Sequence, residues 1–260
     1  MVSLGVAPSR EKAKEMIKSG NVYLNGKVVS KAGFLASDCD IIEYKGESER
    51  YVSRGGLKLE KAVDVFKLDL NGYLCIDIGA STGGFTDCML QNGAKKVYAV
   101  DSGSGQLSPK LKFDPRVIDL EKTNFRYITE KEIPECADFA SADVSFISLK
   151  YILPALSPLL KDGGSAVCLI KPQFEAGREN VGKKGVVKDP RVHIKVIKNV
   201  CSYAVQAGFS VSALDFSPVK GPEGNIEYLV YLKNDEVQSV SAPDVAGVVS
   251  AAHACFKAGE

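Results

Sequence analysis

From Tyr73 onward, short apolar runs closed by glycine or an acid alternate with stretches whose apolar positions recur at helical spacing. Runs of the first kind read as buried strands and stretches of the second as amphipathic helices. This predicts strands at 73–78, 96–101, 116–119, 138–143, 165–170, 210–217 and 227–232, and helices at 84–92, 149–160 and 189–207. Such alternation implies an α/β fold with a largely parallel sheet covered on both faces. The last two strands are joined by a loop rather than a helix, so the sheet is expected to close with an antiparallel hairpin.

The pattern is different before Tyr73. Residues 9–31 read as a small separate unit. Ser9 suits a helix cap and Gly20 a helix end, with Ala13, Met16 and Ile17 as the apolar face and Arg10, Lys14 and Lys18 along another stripe. Asn25-Gly26 suits a tight hairpin between Val22–Leu24 and Lys27–Val29, and Ile41–Tyr44 would complete a small sheet. A polar stretch follows, then a helix ending near Phe66. The chain thus divides into a small domain at 1–45, a linker at 46–52, a larger domain at 53–234 and a tail at 235–260 that carries no functional signal.

The most specific chemistry lies in Leu74–Asp87, where an apolar strand ends in Asp77-Ile78 and a glycine-rich turn leads into a helix. Glycines there let a ligand approach the backbone amides at a helix N-terminus. Asp101 ends the next strand, where an acid accepts hydrogen bonds from ribose hydroxyls. The spacing Gly79-x-x-x-Gly83-Gly84 is not the dinucleotide fingerprint, and Phe85-Thr86 stands where a P-loop needs Lys-Ser or Lys-Thr. Asp77 would repel a pyrophosphate and suits a cationic ligand, so S-adenosylmethionine is preferred to NAD or ATP.

Composition narrows the setting. With 260 residues and 45% apolar content the chain can bury a substantial core. Neither a membrane-length apolar run nor a signal-peptide pattern is found, and the seven scattered cysteines form no C-x-x-C pair. A cytoplasmic protein is expected, with most cysteines buried and no metal site. The net charge is only +1, but residues 1–31 carry six bases against two acids, which points to phosphate contacts.

Charged residues also interrupt apolar surroundings at strand ends, where open α/β sheets bind ligands. These are Asp143, Lys171 and Glu227. A lysine closing a buried strand needs a partner, and Asp143 on the neighbouring strand is the expected one. The loop 173–188, with Arg178, Lys183, Lys184 and Lys188, reads as a mobile flap facing RNA beside Lys171.

Two resemblances gather these features. Ser9–Ala13 with Gly20–Lys27 resembles the S4 RNA-binding domain, though this chain starts after the usual Arg-Leu-Asp opening, which implies a first helix shortened to about Met1–Leu4. Arg54–Leu59, Asp77–Asp87, Ala142–Ser148, Ile170–Glu175, Gly182–Val187 and Gly224–Glu227 together resemble the TlyA family, which contains hemolysins understood as ribosomal RNA 2′-O-methyltransferases. That resemblance implies a Rossmann-like, FtsJ-like methyltransferase domain whose catalytic tetrad is Lys58, Asp143, Lys171 and Glu227, with Asp143 and Glu227 orienting Lys171. It assigns Asp77, Gly79, Ala80, Ser81, Thr82, Gly83, Phe85, Asp101, Asp119 and Asp143 to S-adenosylmethionine. RNA contacts are expected from Arg10, Lys14, Lys18, Lys27, Arg54, Arg178, Lys183 and Lys184. The implied substrate is a cytidine ribose in ribosomal RNA or ribosomal subunits. A membrane-active hemolysin and a non-catalytic RNA-binding assembly factor are the alternatives.

Overall fold

The computed structural model describes every residue except Gly5, Pro8, Ser9, Asp38, 47–49, 236–242 and 258–260. The Ser9 cap, part of the expected linker and part of the tail therefore lie outside the described residues. The chain divides into two compact units, Met1–Arg50 and Tyr51–Glu260.

In the first unit, helix α1 (Arg10–Lys18) buries Met16 and Ile17 against Val22 and Ala7. Strands β1 (Val22–Leu24), β2 (Lys27–Val28) and β3 (Ile42–Tyr44) form an antiparallel sheet in the order β2-β1-β3. Asn25 and Gly26 both take positive φ, as the tight hairpin requires. Val2–Leu4 form a turn rather than the shortened helix expected there: so short a segment cannot repay helix nucleation.

The second unit opens with α2 (Gly55–Phe66), β4 (Leu74–Ile78), α3 (Gly84–Gln91), β5 (Lys96–Val100), α4 (Pro109–Lys112) and β6 (Val117–Leu120). It continues with β7 (Ala137–Ala142), α5 (Leu153–Leu156), β8 (Leu160–Ile170), α6 (Pro172–Glu175), α7 (Pro190–Gln206), β9 (Ser210–Phe216), β10 (Tyr228–Lys233) and α8 (Val245–Lys257). The seven-stranded sheet runs β6-β5-β4-β7-β8-β10-β9. The first five strands are mutually parallel, and β10 lies antiparallel to both β8 and β9. The sheet is buried on both faces, which explains why its strands read as unbroken apolar runs.

Two expectations need correction. The helix foreseen at 149–160 is a chain of short helical turns in which only Leu153–Leu156 is α-helical, because Pro154 and Pro158 remove backbone donors. Only Cys75, Cys88 and Cys168 are fully buried; Cys201 is half-buried and Cys39, Cys136 and Cys255 are exposed. The tail, for its part, holds α8, which packs Val245, Val249 and Ala252 into the main core beside α7 and β9.

Candidate active site

Strand register assembles the site. Asp143 follows β7, whose Ala142 lies beside Ile78 of β4, and Lys171 follows β8. Because β10 runs antiparallel and pairs Tyr228 with Ile170, its entry residue Glu227 arrives at the same sheet edge as Lys171. Lys58 comes from the first turn of α2. The four side chains meet. Lys58 Nζ donates to Glu227 Oε2 at 2.7 Å and to Asp143 Oδ2 at 3.4 Å, while Lys171 Nζ lies 2.5 Å from Asp143 Oδ1 and donates to Ser145 Oγ at 3.1 Å.

The pairing differs from the sequence expectation in one respect. Glu227 holds Lys58, not Lys171, and Asp143 alone bridges the two lysines. Burial pushes the Lys58 pKa down, but Asp143 and Glu227 outweigh it and leave the value raised. Lys58 is therefore a fixed ammonium. Glu227 is fully buried, and a methyl group on Gly221 would strike its carboxylate, so the Gly221–Glu227 loop closes directly over it.

Two cavities adjoin here. One, about 390 Å³, is lined by Arg54, Lys58, Ala80, Thr82, Lys171 and Lys220 among others. The second, about 420 Å³, includes Val100, Asp101, Gln106, Phe125, Val144 and Phe146. Gly79, Ser81, Asp143 and Ser145 belong to both walls. Gly79 has φ +82°, and a Cβ on it would lie 2.7 Å from the Asp143 carbonyl oxygen, so only glycine permits the two loops to meet.

The second cavity suits a nucleoside-like cation. Asp101 is braced by the amides of Ser81 (2.8 Å) and Gly103 (2.7 Å), with lone pairs left for hydroxyl donors. Asp143 adds a second carboxylate at the rim, and Phe125, Val144 and Ile147 give apolar walls for a base. Asp119 borders a small recess beside Asp101 and is ion-paired with Lys112 at 3.5 Å.

Asp77, Gly83 and Phe85, expected at the cofactor, are buried. Asp77 is fully buried and accepts bonds from Thr86 N (2.9 Å), Thr86 Oγ1 (2.6 Å) and Ser141 Oγ (3.1 Å), so it fastens α3 to the sheet instead of facing a ligand. Burial raises its pKa to about 6 against these hydrogen bonds. Gly83 has φ +95°, and a Cβ on it would run into the Leu107 and Leu111 side chains. Phe85 is 3% exposed and belongs to the core, and it also lines the first cavity. Ser145 and Lys220, by contrast, line the site without having been assigned to it; Ser145 lies inside the Ala142–Ser148 motif, which was the available signal.

Of the residues expected to meet RNA, Arg10, Lys14, Lys18 and Lys27 are exposed on the first unit, and Arg54 borders the lysine-lined cavity. Arg178, Lys183 and Lys184 are exposed. The stretch bearing them is fastened to its surroundings: Asn225 bridges Val187 N (3.1 Å) and Gly185 O (2.9 Å). Lys183 and Lys184 line a cavity separate from that of Lys171.

The FtsJ-like methyltransferase family model matches residues 51–234, and the S4 domain model matches residues 1–42. The rRNA (cytidine-2′-O)-methyltransferase TlyA of Mycobacterium tuberculosis is 40% identical, covering 100% of this chain and 96% of its own. The chain belongs to the TlyA family of FtsJ-like methyltransferases. Hemolysin A of Brachyspira hyodysenteriae, 43% identical over 88% of this chain and 95% of its own, is a further relative of this TlyA-family enzyme. A solved chain from Streptococcus thermophilus, described as a candidate hemolysin, superposes with a TM-score of 0.82 at 50% identity, covering 96% of this chain and 92% of that one. At 14% identity and a TM-score of 0.51, the N-methyltransferase NodS of Bradyrhizobium japonicum shares the fold alone. FtsJ-like enzymes take the methyl group from S-adenosylmethionine, and the donor set of the second cavity fits that cofactor. Among the described residues no helix is long and apolar enough to cross a membrane.

Proposed function

We propose that this TlyA-family enzyme methylates a ribose 2′-hydroxyl, that of a cytidine, in ribosomal RNA. The observation that carries this reading is the convergence of Lys58, Asp143, Lys171 and Glu227 beside a cavity fit for the cofactor. The relatives named as cytidine-2′-O-methyltransferases support the nucleotide and the RNA class.

Bound S-adenosylmethionine supplies an electrophilic methyl group on a sulfonium. Gly79, Ser81, Asp101 and Asp143 are the residues proposed to hold it. A ribose hydroxyl is a weak nucleophile that must shed its proton as it attacks, and solvent water takes that proton. Lys171, held by Asp143 and Ser145, orients the hydroxyl and stabilises charge growing on its oxygen. Lys58 is locked by two carboxylates, so it fixes the position of Asp143 and keeps a positive field over the cavity. Holding nucleophile and methyl carbon in line supplies much of the remaining acceleration.

The test is transfer of tritiated methyl from S-adenosylmethionine to isolated 30S and 50S subunits. The wild type is expected to label RNA, and Lys171→Ala to lose the label while binding cofactor with unchanged affinity. Normal turnover by Lys171→Ala removes Lys171 from the chemistry. Absence of cofactor binding by the wild type defeats the methyltransferase reading for this chain.

A further inference from the structure

A further cavity lies apart from the tetrad. It measures about 770 Å³ and lies between the 180–189 stretch, the 220–226 loop and α8. Five lysines line it: Lys183, Lys184, Lys188, Lys220 and Lys257. Among the described residues two acids oppose them, Asp189 and Glu223, and Asp189 is already engaged by Arg191 at 2.8 Å and by the Arg191 amide. Among the described residues Lys183, Lys184, Lys188 and Lys257 make no ion pair. So much like charge around one hollow is self-repulsive unless an anion enters.

Lys220 stands in the wall of both this cavity and the catalytic one. Val186, Ile226 and Phe256 give it apolar wall, and Lys220 Nζ sits 5.4 Å from the centre of the Phe256 ring. A cavity that shares Lys220 with the reacting site, is lined by four further lysines and has apolar side chains in its wall matches a single-stranded polynucleotide. Phosphates pair with the ammonium groups while sugars and bases lie against the apolar wall. A compact anion would need one or two of these lysines, not five.

We propose that this cavity holds the phosphodiester backbone of the RNA nucleotides flanking the methylated one, so that α8 forms part of the substrate-binding surface. The inference rests on the RNA methyltransferase reading above and assigns Lys188, Lys220 and Lys257 to the same strand as Lys183 and Lys184.

The test uses the full chain with ribosomal subunits as substrate and compares Lys188→Gln/Lys257→Gln with Lys195→Gln/Lys198→Gln, an equal charge change on the exposed face of α7. For the cavity variant, the KM for RNA is expected to rise about fivefold to tenfold at ~100 mM salt, with kcat little changed, and the slope of log affinity against log salt to shrink by about 1.4, or ~0.7 per lost phosphate contact. The control pair leaves both unchanged. Equal behaviour of the two pairs, or equal competition by polyglutamate and by single-stranded RNA, overturns this RNA site even where methyl transfer proceeds. RNA binding with the expected lysine-dependent salt slope but without methyl transfer by the wild type sustains this RNA site and defeats the catalytic reading instead.

Discussion

Asp77 is a fully buried carboxyl near the end of β4. Its position before the glycine turn points to a ligand, yet Thr86 and Ser141 take both its oxygens inside the core. Its folded pKa, about 6, lies above its ordinary value of 3.8. The folded chain therefore keeps a proton that the unfolded chain releases between these values. Stability from this residue is present below pH ~4 and is lost as pH rises through ~6, by about 3 kcal/mol in all. Asp77→Asn keeps an acceptor for Thr86 and presents an amide to Ser141. It is expected to match or exceed wild-type stability at pH 7 and to remove this loss between pH 4 and 7, as read from urea midpoints. An unchanged pH slope in the variant excludes Asp77 as its source.

At the scale of elements, the tetrad depends on how closely α2 approaches α3. A Cβ on Gly84 would lie 2.8 Å from the Gly56 amide nitrogen and 3.3 Å from the Gly55 carbonyl carbon, both backbone atoms that cannot swing away. Gly84→Ala must push α2, and Lys58 with it, off Glu227. Overpacking of this kind costs about 1–3 kcal/mol, or a fall in Tm of roughly 2–4 °C per kcal/mol in a unit this size. Turnover is expected to fall about tenfold or more through displacement of Lys58, with cofactor affinity much less affected. Equal losses in both would mean that the glycine turn, and not α2, had moved. The sequence made Lys58, Asp143 and Lys171 visible because they break apolar patterns or match family motifs. It could not show that Glu227 pairs with Lys58, since that follows from the antiparallel entry of β10 and the path of α2. Nor could local periodicity reveal that Gly83 answers to Leu107 and Leu111, which are distant along the chain.

Across the whole catalytic unit, a pair of histidines with no assigned role in the sequence ties distant segments together. His193 on α7 is fully buried, and its Nε2 lies 2.9 Å from the Val187 carbonyl. A carbonyl only accepts, so Nε2 carries the proton and Nδ1 accepts from the Tyr228 hydroxyl at 2.6 Å, with His253 Nε2 of α8 at 3.3 Å. Tyr228 adjoins Glu227 and pairs with Ile170, next to Lys171. One ring thus joins α8, α7, the lysine-bearing stretch and the tetrad strand. Burial lowers the pKa of His193, aided by His253 and opposed by the Val187 bond and Asp189; burial and Lys257 lower that of His253. The folded chain resists protons that the unfolded chain accepts. Stability from the pair is complete above the ordinary histidine value of 6.5 and is lost as pH falls through it. Asp77 acts in the opposite direction below pH ~6 and partly masks this loss in the wild type, so the comparison must be made between variants. His193→Asn/His253→Gln is expected to be less stable than wild type at pH 7.5 but to lose less stability between pH 7.5 and 5.5. Over the same interval, amide exchange in the wild type should rise first in 182–188 and 245–257, the segments that the rings hold. Parallel stability curves for the two proteins, or exchange that rises elsewhere first, would show that the histidines pack without governing how these segments open.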